Sequence, residues 1–546
     1  MAKKINLALA STSYGQETPR EVFNWRIYIL AITSSMAALA YGYDLGFIGT
    51  TLELESFKVD FDIVDRSQSY RTFFSANVVS FFQVGCIVGC FVSAPFANWL
   101  GRRTSIILYA ALFCIASLIQ FVAKGQAAVA LMYTGRVLGG LAIGACTSVV
   151  PVYIAEVAPA EIRGRLVGIF EIGVQLGTTI GFWICYAVQQ TMKSDTAQWR
   201  VPVALQLVPG GLLFIGMWFL PESIRWTAMR RGPVEARLRL SQVRNLAQDH
   251  PYVSWELQGI IDQIQFEAPS GPSNWLSTYR DCFSRGMLPR LVTGMILMIF
   301  FQMSGTNAIN YYSPRIYASL GFHGVSSQFL ATGIYGVVRF VCTLIAMVLV
   351  VDRLGRRTMI LFGSVSMGIC MWYIGAYLSI AHPEQHTGTG DRPSSAYSAI
   401  VFIYIYAACF CFSYAGVPWI YCSEIFPARL RVHCTSLTSA THWAFNLLIA
   451  RATPYMLEGI GASTYFVFAA CLTVAVPWAW FCMPETKGLT LEEMDELWGG
   501  PAQLESAHID IEAQGETKLT PPPSPSGGHK HDKDQDIAVC FRTATL

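Results

Sequence analysis

Charge is scarce in this 546-residue chain: 14% of its residues are Asp, Glu, Lys or Arg, against 53% hydrophobic, and the mean hydropathy is +0.41. A water-soluble fold of this length carries about a quarter of its residues charged, so that class is excluded and the chain belongs in a bilayer. The net charge is only +2 with no concentrated basic patch, which excludes a nucleic-acid partner. Also missing are a Gly-x-x-x-x-Gly-Lys phosphate loop, His/Cys pairs at metal-ligand spacing and a hydrolase elbow. Their absence argues against an enzyme or an ATP-driven pump, and no cofactor is expected. There is no Asn-x-Ser/Thr sequon and no cleavable signal pattern, so the first spanning helix itself is expected to enter the membrane and stay. The fifteen cysteines fall almost wholly inside apolar runs, among them Cys86, Cys90, Cys114, Cys146, Cys185, Cys342, Cys370 and Cys409. None lies in a predicted outer loop, which argues against a disulfide framework; they read as small hydrophobes.

What the chain has in abundance is long apolar runs. A span needs about 20 apolar residues, and windows that meet this run from 27 to 48, 73 to 97, 104 to 122, 127 to 150, 167 to 189, 202 to 220, 288 to 312, 326 to 350, 359 to 381, 397 to 422, 435 to 456 and 463 to 483. The prediction is an all-α membrane protein of twelve spans, six plus six, with both termini on one side. Three markers recur in the same order about 260 positions apart, as a duplicated unit would leave them. Gly101-Arg102-Arg103 answers Gly355-Arg356-Arg357; Glu156, seven residues before Arg163, answers Glu424, seven before Arg431; Pro221-Glu222-Ser223 answers Pro484-Glu485-Thr486. Parallel repeats across a membrane are a transporter plan.

The expected organisation is a tail (1–24), a six-helix bundle (25–220), a linker with short helices (221–287), a second bundle (288–483) and a second tail (484–546). The linker holds Arg225, Arg230, Arg231, Arg237, Arg239, Arg244, Arg280 and Arg285 and no lysine. By the positive-inside rule the linker side, with both termini, is cytosolic. The connection 49–72 is acidic instead, with Glu53, Glu55, Asp60, Asp62 and Asp65. Beyond Trp498 the composition turns to Pro521-Pro522-Pro523-Ser524-Pro525 and polar residues, which reads as disordered.

Several phrases together resemble the sugar porter family of the major facilitator superfamily, and within it the fungal branch of quinate, hexose and sugar-acid permeases. They are Gly42-Tyr43-Asp44, Gly135-Arg136-Val137-Leu138-Gly139-Gly140, Pro151-Val152-Tyr153-Ile154-Ala155-Glu156 with Arg163-Gly164-Arg165, and Gln302-x-Ser304-Gly305-x-Asn307 with Tyr311-Tyr312-Ser313-Pro314. Pro418-Trp419 leading to Glu424-Ile425-Phe426-Pro427, and Pro484-Glu485-Thr486-Lys487-Gly488, complete the set. The resemblance implies two six-helix halves around a central cavity that opens alternately to each side.

Asp44 follows an uncharged stretch from 27 to 43, and Arg136 sits among glycines and leucines. At ~1.5 Å per residue, Asp44 lies ~6 Å and Arg136 ~13 Å below the outer ends of their helices, within reach of one another. A carboxylate against a guanidinium favours ionisation and one alone in an apolar site favours protonation. Making and breaking this contact lets Asp44 take up and release a proton, and proton-coupled relatives carry an acid and an arginine at these positions. The alternative is a static pair that fixes helix packing.

A polyhydroxylated substrate wants amides for its hydroxyls and aromatic faces for its ring. Gln302, Asn307, Asn310, Trp419, Trp443 and Asn446 supply these, and the resemblance places them in the cavity. Three departures stand out. Glu171 appears where hexose carriers have a glutamine, Phe301 precedes Gln302 where they have a second glutamine, and His442 replaces an asparagine before Trp443. The register leaves open whether Glu171 or Gln175 faces the cavity. These changes lean toward a sugar acid or quinate, its carboxylate near His442. The resemblance makes Arg102, Arg103, Glu156, Arg163, Asp352, Arg356, Arg357, Glu424 and Arg431 a cytosolic gate; topological charge alone is the other reading. Asn98 and Ile224 stand where the family usually has Asp and Pro, so the first latch is expected to be the weaker.

The expected function is therefore proton-coupled uptake of a monosaccharide or related polyhydroxy acid across the plasma membrane, by a multi-pass monomer whose partners are substrate, proton and lipid. An uncoupled facilitator and a non-transporting sensor on the same fold are the alternatives.

Overall fold

The structure, a computed structural model, describes residues 18–159, 162–266, 275–320, 325–351, 353–381, 394–487 and 498. Apart from Trp498 these fall in one compact unit, Met1–Met494. Asp352 and the low-complexity tail lie outside the described residues.

Among the described residues every regular element is helical. Spans 1 to 6 are Trp25–Ser34 continued by Met36–Thr51, Gln68–Leu100, Arg102–Phe121, Ala128–Val157, Arg163–Thr191, and Thr196–Leu205 continued by Leu207–Met217. Spans 7 to 12 are Leu288–Met303 continued by Thr306–Ser319, Val325–Ile345 ending in the π-turn Ala346–Val350, Arg356–Ala381, Ser394–Cys411 continued by Val417–Glu424, Ala428–Gly459 and Ser463–Cys482. Ten are long and apolar enough to cross a membrane. The other two are span 10, split in two, and span 11, diluted by Arg431, His433, His442, Asn446 and Arg451. Many helices outrun the apolar windows that announce them, because backbone hydrogen bonding continues past the hydrocarbon boundary until a cap or glycine stops it.

Glycine faces set the packing of the first half. A Cβ on Gly140 would lie 1.9 Å from the Phe82 carbonyl, and one on Gly144 2.1 Å from that of Cys86, so spans 2 and 4 touch backbone to backbone. Within a bilayer such close approach replaces the hydrophobic drive that water would supply. Span 1 seats Gly42 and Gly46 against span 5 in the same way, 1.8 Å and 2.3 Å from the carbonyls of Val174 and Thr178. These contacts hold spans 1, 2 and 4 close enough for their buried polar side chains to meet.

Between the halves run four short helices, Ile224–Arg231, Pro233–Arg244, Pro251–Phe266 and Trp275–Asp281. Ile224, Ala228, Ala236, Leu240, Val253 and Leu257 form their small core. Arg244 fastens it to span 4 by donating to Glu256 (2.6 and 2.9 Å) and to the Val157 carbonyl (2.8 Å).

Candidate functional site

Asp44 on span 1 and Arg136 on span 4 form an ion pair with no solvent exposure on either side chain. Arg136 Nε also donates to the Val78 carbonyl of span 2 (2.9 Å), and its guanidinium lies over the Phe82 ring at 4.5 Å. The pair is incompletely satisfied: among the described residues Asp44 Oδ2 and Arg136 Nη2 are buried without a hydrogen-bond partner. Burial without full pairing is costly.

A second polar network crosses the interface between the halves. On span 5, Glu171 and Gln175 share one face, and Gln175 Nε2 donates to Glu171 Oε1 (2.7 Å), so both residues point inward and the register question dissolves. Gln175 Oε1 accepts from Arg339 Nε of span 8 (2.9 Å), and Arg339 Nη1 donates to Asn310 Oδ1 (2.6 Å). Asn310 donates to Asn307 (3.0 Å), Asn307 to Gln302 (2.8 Å), and the Gln302 amide reaches His442 Nε2 at 2.9 Å. Gln302 and Asn307, five apart, meet because span 7 breaks between them at Gly305. That glycine has φ +91°, in the left-handed region, and a Cβ there would press on the Phe468 ring at 2.9 Å.

Aromatic rings wrap this network. His442 packs 4.8 Å from Phe301, 5.0 Å from Trp419 and 5.5 Å from Trp443. Trp443 stacks edge-on to Tyr41 (5.0 Å) and donates from its indole to Thr147 of span 4 (3.2 Å). The Asn446 carboxamide is fully buried beside Gln83, whose amide meets the Tyr311 hydroxyl at 2.9 Å. Glu171 and Trp419 also line a narrow cleft with Pro151, Gly168, Met347 and Gly416. The structure thus brings together Glu171, Gln175, Gln302, Asn307, Asn310, Trp419, His442, Trp443 and Asn446. It adds Arg339, which sequence reasoning missed. The available signal was a single cation inside the apolar window 326–350.

Contacts between the halves close both ends. On the acidic side Arg315 of span 7 donates to Glu53 (2.7 Å) and Ser75 (3.3 Å), and Gln68 donates to Glu458 (3.0 Å), beside a vestibule of about 870 Å³. Burial works to raise the Glu53 carboxyl, but the charges of Arg315 and Lys58 outweigh it and hold it down at about 2. On the basic side Ser436 donates to the Cys90 carbonyl (2.7 Å), and Ala94, Val152 and Val432 form an apolar plug.

The three repeated phrases converge into one cluster per half. Arg102 pairs with Glu156 (3.0 Å), which also accepts from Ser223, while Glu222 accepts from the backbone of Arg103 (2.9 Å). Arg356 pairs with Glu424 (2.9 Å), which accepts from Thr486 (2.9 Å), while Glu485 accepts from the backbone of Arg356 (2.7 Å) and Arg357 (3.1 Å). Both acids Glu222 and Glu485 therefore cap a helix N-terminus, where the dipole favours negative charge. Arg163 opens span 5, and Arg431 Nε donates to the Phe426 carbonyl (3.3 Å). These two ion pairs each lie within one half. The first is as short as the second with no contribution from the Asn98 side chain among the described residues.

Two repeated six-span halves closed around a polar centre define a secondary transporter of the major facilitator type. The chain belongs to the Sugar (and other) transporter family, matched over residues 30–498. It is 38% identical over 493 residues to the probable quinate permease of Aspergillus niger, covering 90% of this chain and 91% of that one. It is 37% identical over 519 residues to the quinate permease of Emericella nidulans, covering 92% and 97%. Among solved structures it superposes with TM-score 0.74 at 25% identity on the proton:xylose symporter XylE bound to 6-bromo-6-deoxy-D-glucose, covering 86% of this chain and 99% of that chain. The inward-open xylose transporter XylE from E. coli gives 0.68 at 25% identity, covering 86% and 100%.

Proposed function

We propose that this chain is a proton-coupled symporter that takes a polyhydroxylated small molecule, of the quinate or monosaccharide class, across the plasma membrane by alternating access. The observation that carries this reading is the buried Asp44–Arg136 pair, with one polar atom of each side chain left unpartnered among the described residues. A buried carboxylate that shares a guanidinium holds its charge, and one released from it into an apolar site binds a proton. Movement of span 1 against span 4 therefore converts a change of shape into loading or release of one proton at Asp44.

Substrate enters between the halves, where Gln175 of span 5 faces Asn310, Asn307 and Gln302 of span 7, and where Trp443 offers a ring face. Its hydroxyls replace the amide–amide hydrogen bonds that now fill the centre, so binding draws the halves together in the loaded state. The arginine-rich linker sets the basic face in the cytosol, and both termini with it. On that face the Arg102–Glu156 and Arg356–Glu424 clusters brace the ends of the helices that part when the carrier opens inward. A monomer contains every residue of this cycle.

The experiment is uptake of labelled quinate, galacturonate, glucose and xylose in a transport-null host, with and without a protonophore. Accumulation of at least one of them that collapses with the protonophore is the expected result. Equilibration unaffected by it would establish the uncoupled facilitator instead, and no uptake of any would favour the sensor.

A further inference from the structure

We infer that Arg339 is the anchor for a substrate carboxylate, and that the site therefore prefers a polyhydroxylated acid to a neutral sugar. The inference rests on the transport reading above and names the substrate class of that same site.

Arg339 lies within span 8 with 2% of its surface exposed. Its hydrogen-bond partners are all neutral: Gln175 Oε1 (2.9 Å), Thr306 Oγ1 (3.0 Å), Asn310 Oδ1 (2.6 Å) and Tyr335 Oη (3.2 Å). Among the described residues no Asp or Glu forms an ion pair with it, whereas Arg136, Arg102 and Arg356 each have one. A guanidinium kept in the middle of a membrane bundle without a counter-ion is expensive, and neutral dipoles offset only part of that cost. A structural arginine would be expected to bring its own acid. Glu171 stands one hydrogen bond removed, on Gln175 (2.7 Å), and acts on Arg339 from a distance, so the place of a direct counter-ion is left for an arriving anion.

Geometry says where the anion goes. The Phe410 and Tyr335 rings lie 4.9 Å and 5.5 Å from the guanidinium carbon, so apolar surface packs against the group and polar recognition is left to its in-plane edge. On that edge Nη2 engages no acceptor among the described residues, and its neighbours Nε and Nη1 hold only displaceable amides and hydroxyls. Two parallel N–H groups in a plane are what a carboxylate accepts in bidentate fashion, a match an ammonium or an amide cannot offer. The acceptors displaced come from both halves, Gln175 from the first and Asn310 from the second. A carboxylate on Arg339 thus sits at the seam, with Asn307, Gln302 and His442 next along to take hydroxyls. The proposed anchor is Arg339 and not His442, whose ring is already enclosed by Phe301, Trp419 and Trp443 and reached by the Gln302 amide.

The test uses the full chain in proteoliposomes and follows counterflow of labelled quinate, which needs no proton gradient. Competition is measured with unlabelled quinate, its neutral carboxamide and xylose. In the wild type quinate should compete at least roughly 10-fold better than its carboxamide, the usual worth of a charged hydrogen-bonding pair. Arg339→Gln should abolish that preference, the acid losing at least about tenfold more than the neutral compounds, and Arg339→Lys should restore part of it. Because Arg339→Gln could lose its fold, thermal unfolding of the wild-type protein alone supplies a second measurement: quinate should stabilise it and the carboxamide should not. Equal competition or equal stabilisation by acid and amide in the wild type overturns the inference, as does equal weakening of both in Arg339→Gln. A protonophore-insensitive carrier that still distinguishes acid from amide would remove the coupling scheme and leave this inference intact.

Discussion

Arg136 reaches Asp44 across the first half, yet Nη2 of the one and Oδ2 of the other find no partner among the described residues. A pair meant only to lock helices together would be expected to satisfy every polar atom, since each orphan costs stability. The half-made pair suits an element with two arrangements. Arg136→Gln removes the guanidinium and leaves Asp44 in an apolar site that favours its protonated form. Gradient-driven accumulation should fall at least about tenfold while counterflow persists, as uptake and exchange assays on the same vesicles will tell. Retained accumulation would mean that Asp44 cycles without Arg136.

The two basic-side clusters give a graded prediction. Glu156 and Glu424 each hold an arginine, at 3.0 and 2.9 Å, but the Glu156 side chain is 12% exposed and that of Glu424 30%. Glutamine at either position leaves a partly buried arginine underpaired, at a cost of ~1–3 kcal/mol. Glu156→Gln should lower the melting temperature more than Glu424→Gln because water compensates less. The reverse order in detergent melting curves would contradict this description of the clusters.

Packing of spans 2 and 4 depends on the absence of side chains. Gly144→Val would drive carbon into the Cys86 backbone and should cost ~1–3 kcal/mol or more, seen as lost yield and a lower melting temperature. Gly211 on span 6 has nothing within 4 Å of a built Cβ, and Gly211→Ala should be neutral or stabilising by up to ~1 kcal/mol. Equal behaviour of the two variants would show that the glycine face is not what joins the spans.

Acid should leave the closure at the acidic end in place. The Glu53 carboxyl is depressed from 4.5 to about 2 by Arg315 and Lys58, against the opposing effect of burial. A depressed group contributes fully above its unfolded value and loses that contribution as pH falls through its folded one, so the Glu53–Arg315 contact survives at pH 4. An impermeant thiol reagent should label Asn446→Cys, in a background without other accessible thiols, equally slowly at pH 7 and pH 4. Glu53→Gln should speed labelling at both. A sharp rise in wild-type labelling between pH 5 and 4 would show that another group controls this gate.

The spans, the duplication and the Asp44–Arg136 pair were legible because bilayer chemistry makes charge inside an apolar window conspicuous. The helix breaks were not. Hydropathy is blind to a single left-handed residue, so Gly305 reads as part of an unbroken span 7 although its conformation is what lets Asn307 face Gln302. Glu171 and Gln175 looked like alternatives because position was counted one residue at a time, whereas residues four apart share a helical face. Arg339 was as conspicuous as Arg136 but belonged to none of the phrases that carry the family resemblance, and its meaning rests on partners from span 5 and span 7 that only the folded chain brings to it. The meeting of Arg102 with Glu156 and of Arg356 with Glu424 was expected from the resemblance; the capping of the same helices by Glu222 and Glu485 became visible only in three dimensions.

Proton movement on substrate addition tests the coupling scheme most directly. Cells expressing the wild-type chain, suspended in weak buffer, should alkalinise the medium when quinate or another transported substrate is added. Asp44→Asn cells, with matched amounts of protein and intact counterflow, should not. Alkalinisation of the same size in Asp44→Asn would contradict the account.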